Sequence, residues 1–146
     1  MDNKIILSYE IDGGNFSGAG EASSSVKKVL KQLGVDSDII RRVVISMYEA
    51  EINAVIHAGG GRAEVEISPD KIYVKFTDDG PGIADVQQAM REGFSTASQK
   101  IREMGFGAGM GLPNIKSYTD EIRITSDVGK GTVVEMVVYL QEPVQK

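Results

Sequence analysis

Apolar and polar positions alternate from Lys4 to Ile11, predicting a strand that ends at Asp12-Gly13-Gly14. The period then changes. Val26, Val29, Leu30 and Leu33 recur at helical spacing, with Ser23, Ser24 and Ser25 ahead of them as candidate caps and Gly34 as the stop. A second, longer helix is expected from a cap at Asp36 or Ser37 to about Ala58, closed by Gly59-Gly60-Gly61. Ala63 to Ile67 and Ile72 to Asp78 alternate as two strands around the turn Ser68-Pro69-Asp70. Asp85 to Arg91 predicts a short helix. Gly93 to Gly111 is polar, basic in its middle and glycine-rich at its end, the pattern of a mobile loop. Pro113 to Tyr118 begins a third main helix, and Glu121–Ser126 and Thr132–Leu140 read as two closing strands.

The element order is therefore β-α-α-β-β-loop-α-β-β. Strands joined by tight turns imply antiparallel pairs, and the intervening helices imply one covered face. The expected fold class is α+β, a two-layer α/β sandwich with a mixed, mostly antiparallel sheet and its helices on one face. A chain of 146 residues suits a single domain, 1–146, with its own core.

Composition narrows the chemistry. The chain has no cysteine and one histidine, which removes disulfides, thiolate zinc sites, cysteine nucleophiles and histidine-cluster metal centres. Neither a signal peptide nor an apolar run long enough for a membrane span is present, so a cytoplasmic protein without membrane contact is expected. The net charge of −5 argues against a nucleic-acid partner, for which a basic face is usual. Glycine is in excess: 17 of 146 residues, where roughly 7% is the usual share.

Three segments could carry chemistry. Glu49, Asn53 and His57 are spaced four apart and form one stripe on the long helix, flanked by Ile45, Ile52 and Ile56. Val43, Met47, Ala50 and Ala54 cover another side, so the helix is buried, and a carboxylate in its apolar flank needs a partner. A capped structural network would explain it; so would a carboxylate base with a carboxamide metal ligand one turn away. His57 by itself reads as a satisfied structural histidine. Thr77-Asp78-Asp79-Gly80-Pro81-Gly82-Ile83 ends a strand with a D-x-G-x-G pattern. It is either an ordinary turn or an Asp placed to accept from an exocyclic amine, with glycines letting backbone approach a flat ring. Gly105-Phe106-Gly107-Ala108-Gly109-Met110-Gly111-Leu112 leads alternating glycines into a helix, a geometry that offers successive backbone N–H groups to an anion. The alternative is a hinge. The run does not fit the dinucleotide fingerprint, since position 112 is Leu, and Gly129-Lys130 is followed by Gly131 and not Ser or Thr, so it makes no P-loop. Lys100 and Arg102 precede this run, and Thr132 follows Gly129-Lys130-Gly131.

Taken in order, these pieces resemble the GHKL ATPase superfamily. Glu49-x-x-x-Asn53-Ala54 is similar to its N box, Asp78-x-Gly80-x-Gly82 to its first glycine box, Gly107-x-Gly109-x-Gly111-Leu112 to its second, and Gly131-Thr132 to its last element. The resemblance runs from about residue 40 to 140 and implies the Bergerat ATP-binding fold. Size and wording narrow it to the bacterial anti-sigma-factor serine kinases and stressosome switch kinases. Glu92-Gly93-Phe94-Ser95-Thr96 and Gly111-Leu112-Pro113 look like the switch-kinase branch, and Asn53-Ala54-Val55-Ile56-His57 like the anti-sigma branch.

The resemblance implies ATP and Mg2+ as ligands. It makes Glu49 the general base, Asn53 the Mg2+ ligand, and Asp78 the acceptor for the adenine amine, with Gly80, Gly82 and Ile83 against the ring. Residues 84–111 become the ATP lid, with Gly107, Gly109, Met110, Gly111 and Leu112 around the phosphates and Lys100 or Arg102 as charge partners. Thr132 adds a hydroxyl near the adenine. Eight of the 17 glycines then fall in nucleotide-contacting segments: four in Gly105–Gly111, two in Gly80–Gly82 and two in Gly129–Gly131. The expected partner is an anti-sigma antagonist or stressosome-type protein substrate, or a sigma factor, and a homodimer through the first strand and helix is expected. The implied function is an ATP-dependent serine/threonine kinase. The alternative is a non-catalytic, nucleotide-dependent module that sequesters a regulator. A detached histidine-kinase domain fits less well, because the only histidine lies inside the N-box segment.

Overall fold

The computed structural model describes residues 4–12, 20–57, 60–78, 111–127 and 131–140. They form β1 (Ile5–Asp12), α1 (Glu21–Gln32), α2 (Ser37–His57), β2 (Gly60–Ile67), β3 (Lys71–Asp78), α3 (Gly111–Tyr118), β4 (Glu121–Asp127) and β5 (Gly131–Tyr139). The sheet has five strands in the order β1-β2-β3-β5-β4. All four pairings are antiparallel, which sharpens the mixed, mostly antiparallel sheet expected from the sequence.

Register converts the alternation into rungs. Ile5, Ile67, Ile72 and Val138 share one; Leu7, Val65, Val74, Met136 and Ile122 share the next; Tyr9, Ala63, Phe76, Val134 and Ile124 share a third. These side chains point towards the helices. α2 lies over β1, β2, β3 and β5, with α1 and α3 packed against it. Val26 and Leu30 of α1, Val43 and Met47 of α2 and Ile115 of α3 are almost completely buried in the shared core. The opposite face of the sheet carries the polar set, with Ser8, Glu64, Lys75, Glu135 and Arg123 in register. This is the one-face-wet arrangement that period-two patterning dictates for an antiparallel sheet.

Two local expectations need correction. Ser23, Ser24 and Ser25 do not cap α1; they lie within the helix, and the N-cap is Gly20. The cap comes instead from a distant carboxylate, as shown below. Gly60 and Gly61 do not close α2; they open β2, pairing with Asp12 and Ile11. Glycine marks strand bends as readily as helix ends, so the run alone does not say which. Gly34 does end α1: at φ 76 its N–H donates to the Lys31 carbonyl, and that of Val35 to Leu30, a Schellman closure.

Candidate functional site

Beyond the Phe76 rung, Ile11 on β1 keeps its end of the next rung apolar and buried, but β3, β5 and β4 turn polar. Two residues further along β3 the same face reaches Asp78, whose cross-strand partner is Thr132, whose partner on β4 is Ser126. On the other side β2 presents Gly61, where a Cβ would collide with the Thr77 carbonyl oxygen and crowd the Asp78 side chain. On β3, β5 and β4 the last rung of the core-facing surface is thus polar. The Thr132 N–H donates to Asp78 Oδ1 at 3.3 Å, and the Thr132 and Ser126 hydroxyls meet at 2.9 Å. Thr132 is buried, with 7% of its surface exposed, and Asp78 is half-buried. A carboxylate and a sheltered hydroxyl side by side at the mouth of an apolar layer suit a flat ligand edged with N–H donors.

Glu49 and Asn53 stand one turn apart on α2, both half-buried, while Val43, Met47, Ala50 and Ala54 face the core. The stripe read from the sequence therefore exists. The chain links it to the polar rung: α2 ends at His57 and β2 begins at Gly60, beside Asp78, so the C-terminal half of α2 stands at that end of the sheet.

Glu51 was not anticipated. Its side chain is 3% exposed, and it accepts backbone N–H bonds from Gly20 at 2.7 Å and from Ala22 and Ser23 at 3.2 Å each. A carboxylate from α2 thus does for α1 what a local cap residue does for other helices. Favourable alignment with the α1 dipole adds to the bonds. The signal that could have found it is negative: Gly20 offers no side chain to cap a helix that starts at Glu21.

α3 presents a second helix start. Arg42, early in α2, donates through Nε to the Tyr118 carbonyl at 3.1 Å and through Nη2 to Asp120 at 3.0 Å, tying the C-terminal end of α3 to the far end of α2. The two helices run antiparallel, and the rise of about 1.5 Å per residue brings Gly111 to the level of about Glu49. The two helix N-termini at this end differ. That of α1 is occupied by Glu51, whereas the first turn of α3 holds no acidic residue.

Asp78 and Thr132 are thus brought into direct contact, and Glu49, Asn53 and Gly111 are carried to the same end of the sheet. Gly80, Gly82, Ile83, Lys100, Arg102, Gly107, Gly109 and Met110 lie outside the described residues, as do the side chains of His57 and Leu112, the helix expected over 85–91 and the rest of the segment expected as a lid. Among the described residues no group of three or more His, Asp or Glu side chains is placed to hold a metal ion. Among the same residues no helix is long and apolar enough to cross a membrane.

Comparison with known proteins agrees with this geometry. Residues 18–138 match the histidine kinase-like ATPase domain family. Over 119 residues the chain is 30% identical to the serine/threonine-protein kinase RsbT of Bacillus subtilis, covering 79% of this chain and 84% of that one. It is 33% identical over 127 residues to the anti-sigma F factor of Pasteuria penetrans, covering 82% of this chain and 81% of that one. Two solved structures share the fold. The RsbU and RsbW domains of Rv1364c from Mycobacterium tuberculosis superpose with a TM-score of 0.65 at 17% identity, over 97% of this chain but 34% of that one. The mycobacterial sensor histidine kinase MprB does so with a TM-score of 0.52 at 18% identity, over 92% of this chain and 97% of that one. With the polar rung at the end of the sheet and a family match that spans most of its length, the chain belongs to the histidine kinase-like ATPase (GHKL) family.

Proposed function

We propose that this chain is an ATP-dependent serine/threonine protein kinase that phosphorylates a small antagonist protein and so switches a partner. The observation that carries the reading is the Asp78–Thr132 rung at the end of the sheet that the Glu49–Asn53 half of α2 also reaches. Asp78 accepts from the adenine amine, and Thr132 lies beside it. The N-terminus of α3, free of acidic residues in its first turn, faces the phosphates. The Asn53 carboxamide would be the protein ligand of a Mg2+ ion, which would supply charge neutralisation at the phosphates. Glu49 accepts the proton of the substrate serine as the γ-phosphoryl passes from ATP to the serine oxygen and ADP leaves. This chemistry consists of positioning and charge neutralisation, which the arrangement supplies without a covalent intermediate.

The relatives support two activities, since one bears the name of a kinase and others the name of anti-sigma factors. The second reading is a nucleotide-dependent module that sequesters a sigma factor without transferring phosphate. Incubating the protein with radiolabelled ATP, Mg2+ and purified candidate antagonists separates the two. Label on an antagonist serine supports the kinase; ATP bound with no label on any antagonist leaves the sequestering module. A homodimer through β1 belongs to the same reading, because β1 is an edge strand with Ile6 64% exposed. Sedimentation velocity tests it.

A further inference from the structure

The end of the sheet away from the Asp78–Thr132 rung is gathered by an ion pair. Half-buried Arg42 spans two partners there, donating through Nε to the Tyr118 carbonyl at 3.1 Å and through Nη2 to Asp120 Oδ1 at 3.0 Å. Asp120 is itself fastened to β5. Its Oδ2 accepts from the Tyr139 N–H at 2.8 Å, and its own N–H donates to the Val137 carbonyl at 2.9 Å. The pair therefore joins the first half of α2, the end of α3 and the end of β5. Followed to the opposite end of the sheet, the same three elements carry Glu49 and Asn53, Gly111, and Thr132. Apolar packing between helices is non-directional, whereas a planar guanidinium donates along fixed directions. The fork of Arg42 thus sets where α3 sits along α2.

We infer that Arg42 is a positioning residue for the phosphates of the nucleotide. By holding α3 along α2 and against β5, the Arg42–Asp120 pair sets the level of the first α3 amides relative to Glu49 and Asn53. One residue of slip is about 1.5 Å, enough to break a bond to a phosphate oxygen. The adenine end is built on β3 and β5 and does not depend on α3, so the effect falls on the phosphates and spares the base. The inference rests on the nucleotide site proposed above, and Arg42 acts on it through α3 without touching the ligand.

The test compares ATP with adenosine, which keeps the base and lacks the phosphates. Dissociation constants for both are measured by equilibrium dialysis with Mg2+ on the wild-type chain, Arg42→Ala, Arg42→Lys and Asp120→Ala. Arg42→Ala and Asp120→Ala should each weaken ATP binding about five- to tenfold, the range of an anion at a helix start, and leave adenosine affinity unchanged. The two variants change the net charge in opposite directions, so a general charge effect would move their ATP affinities apart. Arg42→Lys keeps the charge and the apolar stem but not the fork. It should weaken ATP by a smaller factor, and it carries the test if an alanine variant fails to fold. Unchanged ATP affinity in a folded variant, opposite shifts in the Arg42 and Asp120 variants, or equal losses for ATP and adenosine would each overturn the inference. Asp78→Ala is the separate check on the site: unaltered adenosine affinity there overturns the nucleotide reading, whatever Arg42 does.

Discussion

Glu51 Oε2 lies 2.7 Å from the backbone nitrogen of Gly20, joining residues 31 positions apart at the point where α1 begins. The buried carboxylate completes the α1 helix start and locks α1 to α2 at once. Glu51→Ala leaves three amides without their acceptor and should cost about 1–3 kcal/mol of stability by urea unfolding. Hydrogen exchange at Ala22 and Ser23 should speed up in the variant well before global unfolding does. Protection unchanged at those amides would show that the cap contributes nothing.

Gly61 permits the close approach that seats Asp78. Gly61→Ala forces β2 away from the Thr77 carbonyl and should cost about 1–3 kcal/mol, with ATP affinity falling alongside. Gly34→Ala is the control. At φ 76 it is strained by about 1 kcal/mol, yet it sits at the α1 stop and should leave ATP affinity alone. Equal affinity losses in the two variants would mean that Gly61 acts only through stability.

Glu49 and Asn53 should fail differently. Glu49→Gln is expected to keep ATP binding and to lose phosphoryl transfer by about a hundredfold or more, the usual worth of a general base. Asn53→Ala should raise the Mg2+ concentration needed for ATP binding. Titrations of ATP at fixed and varied Mg2+, combined with transfer rates on the antagonist, read both. Full transfer by Glu49→Gln would remove Glu49 from the mechanism.

Tyr73, on the outer face of the sheet, gives a pH signature independent of the site. Burial and then the hydrogen bond to Glu135, 2.6 Å away, push its pKa up to about 12. Folding therefore favours the neutral phenol over the phenolate. The resulting stability is fully present below the ordinary tyrosine value of about 10 and is lost as pH climbs from there through about 12. Tyr73→Phe should remove this part of the alkaline fall in unfolding free energy and should delete the late step in a tyrosinate absorbance titration. A variant whose four remaining tyrosines still show the same late step would contradict the assignment.

The legible part of the molecule is what short-range pattern encodes. Period-two alternation placed Val65, Val74 and Met136 on one face, and the four-residue spacing of Glu49 and Asn53 placed them on one stripe. The strand-end position of Asp78 and the glycine-threonine pair at Gly131-Thr132 were also readable, because each sits in a local motif. What escaped depends on register or on backbone. Ser126 opposes Thr132 only once β4 and β5 are aligned, and the partners of Glu51 are amides, which no side-chain pattern announces. The Gly60-Gly61 pair misled because a helix stop and a strand bend use the same residue.

The rungs give the core an open end. Three apolar layers stack from Ile5 to Tyr9, and the next layer, apolar only at Ile11, carries Asp78, Thr132 and Ser126. A purine lying on that layer would serve as the interior's missing lid, its ring covering the apolar surface around Phe76 and Val134 while its amine satisfies the carboxylate. Folding and ligation then draw on the same free energy. At ligand a hundredfold above its Kd the native state gains about 2.7 kcal/mol. Nucleotide supply would then set how much of the protein survives proteolysis.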